Sequence, residues 1–171
     1  MSSRGEKGRA KWDLFFLLWL PHEAKKRPLK FKKPVVLITA RVHPGETPAS
    51  YAMEGVINFL LQKDDLRAHL LRSMFVFMVV PMINVDGVIH GNTRSELTGV
   101  DPNRMWAKPY KRLSPTINAI KKAILETRGH IDLILDLHSH SKKTGCFFYG
   151  NTLIHNPKLS KVYPTYVCEN D

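Results

Sequence analysis

Cysteine is scarce in this 171-residue chain, with only Cys146 and Cys168 present. Two thiols can close one bridge at most. That excludes the disulfide-dense scaffolds of small secreted domains and leads us to expect reduced thiols in a cytoplasmic protein. Long apolar runs are missing as well. The segment WDLFFLLWLP, Trp12 to Pro21, is broken by Asp13 and is far too short to cross a bilayer. It follows a basic start, as a signal peptide would, but HEAKKR beyond it offers no small-residue cleavage site, so a buried strand is the better expectation. No membrane partner is expected. Acidic residues are outnumbered, 15 Asp and Glu against 26 Lys and Arg, for a net charge of +11. The excess is uneven, because residues 1–33 hold ten basic side chains and three acidic ones. Such a leader is ordinarily solvated. No base-reading motif or aromatic-rich RNA-binding signature accompanies it, so no nucleic-acid partner is expected either. The charge does attract acidic polymers over a distance. Repeats and low-complexity tracts are absent.

What is present suits one domain with a real core, since the apolar share is 43%. KKPVVLITA reads as a buried β-branched strand entered through Pro34. TPASYAMEGVINFLLQ reads as a helix with Thr47 as N-cap, Pro48 at the first helical position and Met53, Val56, Ile57, Leu60 and Leu61 on one face. A short helix is expected over DDLRAHLLR, and an all-apolar strand over MFVFMVVPMI. Asn84 to Tyr110 reads as a long polar loop of the kind that carries function. SPTINAIKKAILETRG should form a capped helix ending at Gly129, IDLILDLHSHS a third strand and GCFFYG a fourth. Alternating strands and helices indicate an α/β fold with a mostly parallel central sheet. Ligands of such sheets collect beyond the carboxyl ends of the strands.

That rim is where the chemistry-bearing residues fall. His43 and Glu46 follow the first core strand, three apart across Pro44 and Gly45, and His138 follows the third. Two imidazoles and one carboxylate with a position left for water are the ligand set of a catalytic zinc ion, although each residue alone reads equally as part of a turn or strand end. Asp101, in the polar loop, reads either as a carboxylate partner for the outer nitrogen of His43 or as a turn cap before Pro102. Arg94, Asn103 and Arg104 share that loop and could hold an anionic substrate end, or be solvated. His140, two past His138, is assigned no ligand role.

The segments HPGE, NVDGV, GNTRSELTGVDPNR and DLHSHS…FFYGN resemble, in order, those of zinc carboxypeptidases of the carboxypeptidase A type. The nearer similarity is to their cytosolic branch, which trims glutamates from tubulin and other proteins, and it runs from about Lys33 to Asp171. The resemblance implies one Zn²⁺ held by His43, Glu46 and His138, with Asp101 supporting His43. It implies that Arg94 steadies the polarised scissile carbonyl and that Asn103 and Arg104 grip the terminal carboxylate. It further implies a mixed eight-stranded sheet flanked by helices, of which residues 33–171 would supply the first part, after a basic leader over 1–32 of uncertain structure. Partners would be protein or peptide C-terminal tails, polyglutamylated tubulin among them, in the cytoplasm or on the cytoskeleton.

The departures are specific. The family's general base is a late-strand glutamate, and after His138 this chain has only Glu169, in VCEND. The late tyrosine of the classical members and the β-sandwich of the cytosolic branch find no match, and DPNR stands where DLNR is commoner. An incomplete catalytic domain with little or no turnover is therefore expected. Two alternatives stand beside it. One is a non-catalytic zinc-containing module that grips acidic protein tails. The other is an N-acyl amino acid deacylase, against which HPGE counts because those enzymes carry His-Gly-Asn-Glu.

Overall fold

The computed structural model describes residues 18–19, 33–126, 131–150 and 158–170. Its centre is a four-stranded sheet in the order β1-β3-β2-β4. Strand β2 (Val35–Ala40) lies in the middle. It pairs in parallel with β3 (Val76–Val80) and with β4 (Ile131–Leu137). The two-residue strand β1 (Leu18–Trp19) adds antiparallel to β3, so the apolar run of the leader does contribute a strand. All six residues of β2 are buried, as expected where both faces of a parallel strand are covered.

Helix α1 (Pro48–Leu61) and helix α2 (Leu66–Met74) make the crossover from β2 to β3. Met53 and Leu60 of α1 join Leu37, Ile38, Ile83 and Leu137 in one core, and helix α4 (Pro115–Glu126) adds Ile117 and Ile120. Burying a Leu or Ile side chain of this kind stabilises the fold by roughly 1.5–3 kcal/mol. Asp65 caps α2 by accepting from the amides of Arg67 and Ala68. Arg72 donates to the carbonyls of Leu60 and Gln62, joining α2 to the end of α1.

Some elements differ from expectation. Thr47 stands at the N-cap of α1 but makes no side-chain capping bond, because its backbone is already helical (φ −53°, ψ −34°). The turn before α1 runs straight into the helix through Ala49 N–H to Glu46 O. Within the polar loop, Val85–Ile89 forms a one-turn helix, α3, and Pro102–Arg104 a 3-10 turn. The segment GCFFYG is not a strand. The rings of His140, Phe147 and Tyr149 instead pack edge to face in series. The expected end of α4 at Gly129 lies outside the described residues. Helix α5 (Leu159–Glu169) closes the chain.

The parallel register brings the carboxyl ends of β2, β3 and β4 to a single rim. The segments that leave those three ends build the site.

Candidate metal centre

The first segment, after β2, is shaped by Arg41, a residue with no role in the sequence reading. Its φ of +58° turns the chain sharply, an uncommon conformation for a residue other than glycine. Its guanidinium is buried. Nε donates to Pro44 O at 2.9 Å, and Nη1 donates to Ser50 Oγ at 2.6 Å, so the turn wraps around the arginine and is tied to α1. The segment after β3 lies directly against it. Ile83 N–H donates to Ala40 O, Asn84 N–H to Arg41 O, and Gly45 N–H to Thr93 O at 2.8 Å. Two glycines permit this approach. A Cβ on Gly45 would stand 2.9 Å from Thr93 O, and one on Gly87 would stand 2.5 Å from both Pro44 Cγ and Asn84 Oδ1.

On this scaffold His43, Glu46 and His138 converge. One ligand atom from each lies within 4.8 Å of the other two. Glu46 is the hub. Oε1 is 2.7 Å from His43 Nδ1, Oε2 is 2.9 Å from His138 Nδ1, and Oε2 also accepts from the backbone amide of Ser139 at 3.0 Å. Both imidazoles thus face the centre through Nδ1 and turn Nε2 outward to a carboxylate. For His43 that carboxylate is Asp101, at 3.1 Å. For His138 it is Asp136, at 2.8 Å.

Asp101 combines the two roles its sequence position offered. Its Oδ1 accepts from Asn103 N–H at 2.9 Å, capping the 3-10 turn, and also meets His43. Its Oδ2 accepts from Arg94 Nε at 2.8 Å. Burial by itself would raise its pKa, but the Asn103 amide, His43 and Arg94 together hold it below the ordinary carboxylate range.

Charge at the centre follows the same logic. Burial would push Glu46 up, yet the bonds to His138 and His43 outweigh it and bring its pKa down to about 2. Burial would push His138 down, yet Asp136 and Glu46 flank it and raise its pKa to about 10. Both shifts have one cause, the carboxylates gathered around the two imidazoles, which give the centre a negative potential that favours a cation. The donor set, two Nδ1 lone pairs and a carboxylate with outer nitrogens committed to carboxylates, fits a divalent cation and zinc best.

A cleft of about 680 Å³ opens over the centre. Arg94, Asn103 and Arg104 line it from the β3 side, and His140, Phe147 and Tyr149 line it from the β4 side. Asn103 is held in place by Trp106 Nε1, which donates to its Oδ1 at 3.0 Å. His140 uses Nδ1 to accept the amides of Lys142 and Lys143, so it shapes the turn after β4. Lys143 Nζ lies 4.5 Å from the Phe147 ring centre and 4.7 Å from that of Tyr149, bringing a cation to the rim of the cleft.

Asp136, Thr39 and Arg41 are the neighbours of the centre that sequence reasoning passed over. For Asp136 a signal existed: a carboxylate inside an apolar strand, two residues before His138 and hence on the same face. For Arg41 there was none, because its role depends on a backbone angle.

The chain is similar to known proteins. Cytosolic carboxypeptidase 6 of Caenorhabditis elegans is 46% identical over 123 residues, which covers 70% of this chain and 27% of that protein. Human cytosolic carboxypeptidase 4 is 46% identical over 121 residues, 69% of this chain and 11% of the relative. The metallo-carboxypeptidase of Pseudomonas aeruginosa, solved with (2-guanidinoethylmercapto)succinic acid, superposes with a TM-score of 0.57, at 34% identity over 67% of this chain and 30% of that one. The chain therefore spans about a quarter of the first of these relatives. The pattern of the zinc carboxypeptidase family matches residues 22–165, most of the sequence, and the chain belongs to that family.

Proposed function

We propose that this chain contributes the zinc-binding part of a metallocarboxypeptidase that removes C-terminal residues, glutamate in particular, from acidic protein tails such as those of tubulin. The observation that carries the proposal is the convergence of His43, Glu46 and His138 beneath a cleft lined by Arg94, Asn103 and Arg104. His43, Glu46 and His138 would hold one zinc ion. When bound, the ion supplies Lewis-acid polarisation of a carbonyl and a more acidic water.

The other roles belong to the chain's own residues. Asp101 orients His43 and restrains Arg94 at the edge of the cleft. Arg94 would meet negative charge developing on the scissile carbonyl oxygen. Asn103 and Arg104 would bind the terminal carboxylate, for which a planar guanidinium is suited. Lys143, braced by Phe147 and Tyr149, favours acidic side chains at the rim. Support for an anionic substrate also comes from the Pseudomonas relative, whose ligand is a succinic acid derivative and therefore a dicarboxylate. The names of the cytosolic relatives support a cytoplasmic setting, and tubulin is the cytoskeletal partner we propose there. Among the described residues lining the cleft, Glu46 is the one carboxylate, so these residues bind, orient and polarise but offer no second carboxylate to act as general base. We assign residues 33–171 to the catalytic domain and residues 1–32 to a basic leader.

Binding is the direct test. The chain should take up one zinc ion and melt at higher temperature with it. At a free zinc concentration 100-fold above Kd the gain is about 2.7 kcal/mol. His43→Ala and His138→Ala should abolish both effects. Peptides ending in glutamate should bind the zinc-loaded chain more tightly than their C-terminal amides, and Arg104→Ala should erase that preference. A wild-type chain with no stoichiometric zinc, or equal binding of acid and amide, would defeat the assignment.

A further inference from the structure

The polar groups around His138 extend one residue deeper than any role assigned above. Asp136 Oδ2 sits 2.8 Å from His138 Nε2, and its other oxygen, Oδ1, accepts the hydroxyl of Thr39. Thr39 is 2% exposed and lies in the central strand. The two residues are direct partners in the β2–β4 register, which pairs Thr39 with Asp136. Asp136 and His138 are two apart at the end of β4, so they share a face, while Leu137 between them points to the opposite side and is fully buried.

We infer that Thr39 and Asp136 form a positioning relay that locks His138 with Nδ1 toward the metal centre and sets its strength as a ligand. This rests on the zinc assignment proposed above. The physical case is one of constraint. An imidazole at a strand end can rotate about its Cβ–Cγ bond and present either nitrogen. A carboxylate behind Nε2 selects one face and one tautomer, and its charge raises the basicity of Nδ1. A carboxylate alone could itself swing away. The Thr39 hydroxyl removes that freedom, because it comes from a neighbouring strand whose position the sheet ladder sets. The two histidines are thereby supported differently. Asp101, behind His43, belongs to a loop and also holds Arg94, whereas Asp136 is built into the sheet and bonds a buried hydroxyl.

The test is zinc affinity by chelator competition on the full chain, with the absorption bands of a cobalt(II)-loaded sample reporting ligand geometry. Asp136→Asn keeps the size of the side chain and its capacity to bond Thr39, but removes the charge. Its affinity should fall about 10- to 100-fold, and the cobalt bands should shift. Thr39→Val, nearly isosteric in a strand of β-branched residues, should lower affinity about two- to tenfold, the weight of one hydrogen bond. Asp65→Ala, which strips the cap of α2 far from the site, should lower thermal stability and leave zinc affinity unchanged. If Asp136→Asn fails to fold, Thr39→Val decides. Wild-type affinity and unshifted bands in the variants, with zinc bound normally by the parent chain, would overturn the relay alone. Absence of zinc from the parent chain would overturn the site assignment and the relay with it.

Discussion

Gly87→Ala tests whether the segment after β3 props up the turn that carries His43 and Glu46. A methyl group at position 87 would sit 2.5 Å from Pro44 Cγ and 2.5 Å from Asn84 Oδ1, against 3.4 Å or more in ordinary contact. Both neighbours must therefore give by about 0.9 Å, and neither can do so cheaply. Pro44 is a ring inside the turn that carries His43 and Glu46. Asn84 Oδ1 accepts the Gly87 amide at 3.0 Å while its Nδ2 donates to Val42 O at 3.3 Å. Overpacking of this kind costs about 1–3 kcal/mol, and loss of the Asn84 bond adds about 1 kcal/mol. The better helix propensity of alanine returns up to about 1 kcal/mol in α3. The net loss should be about 2 kcal/mol, or roughly 4–8 °C in melting temperature for a domain of this size. Displacement of Pro44 should also lower zinc affinity, on the order of tenfold. Urea unfolding and chelator competition measure the two effects. Gly55→Ala is the matched control: it lies inside α1 with nothing within 4 Å of a new Cβ and should stabilise by up to about 1 kcal/mol. An unchanged urea midpoint and unchanged zinc affinity in Gly87→Ala would refute the idea that the two segments brace each other.

Three further outcomes are expected. Arg41→Ala should cost about 2–4 kcal/mol in urea unfolding and weaken zinc binding, because it removes the charged bonds to Pro44 O and Ser50 Oγ; a loss below 1 kcal/mol would mean that the turn holds itself. Leu37→Ala, in the fully buried centre of β2, should cost about 3–5 kcal/mol. Burial raises the pKa of Glu96, against the bond from Ser114 Oγ and with a contribution from Asp86. Its folded pKa is above its unfolded one, so its contribution is present at low pH and lost as pH rises through the folded value. Glu96→Gln, which still accepts from Ser114, should therefore melt above wild type at pH 7–8 and match it below about pH 4. A constant difference across that range would remove Glu96 as the cause.

The convergence of His43, Glu46 and His138 was legible in the sequence because their pattern is largely local. His43 and Glu46 are three residues apart at the end of an apolar strand, and His138 ends another. Strand ends of a parallel sheet meet at one rim whatever the details of packing, so composition and order suffice to bring such residues together. The same holds for the alternating elements, whose periodicity reports burial directly. GCFFYG shows the limit of that method. A short apolar run can be a strand only if a neighbour offers it a ladder, and its rings found partners in each other instead.

By itself, then, the chain's residue order determined which ligand types exist, at which strand ends they stand, and which polar loop accompanies them. Only the tertiary structure decided how they are held. Thr39 meets Asp136 because β2 and β4 pair in one register, across 97 residues of sequence. A slip of β4 by one residue would send Asp136 to the face opposite Thr39. Arg41 acts through a left-handed backbone angle, and Gly45 and Gly87 act through the closeness of two loops. These are properties of distance and direction between segments far apart in the chain, and no local pattern of residue types encodes them.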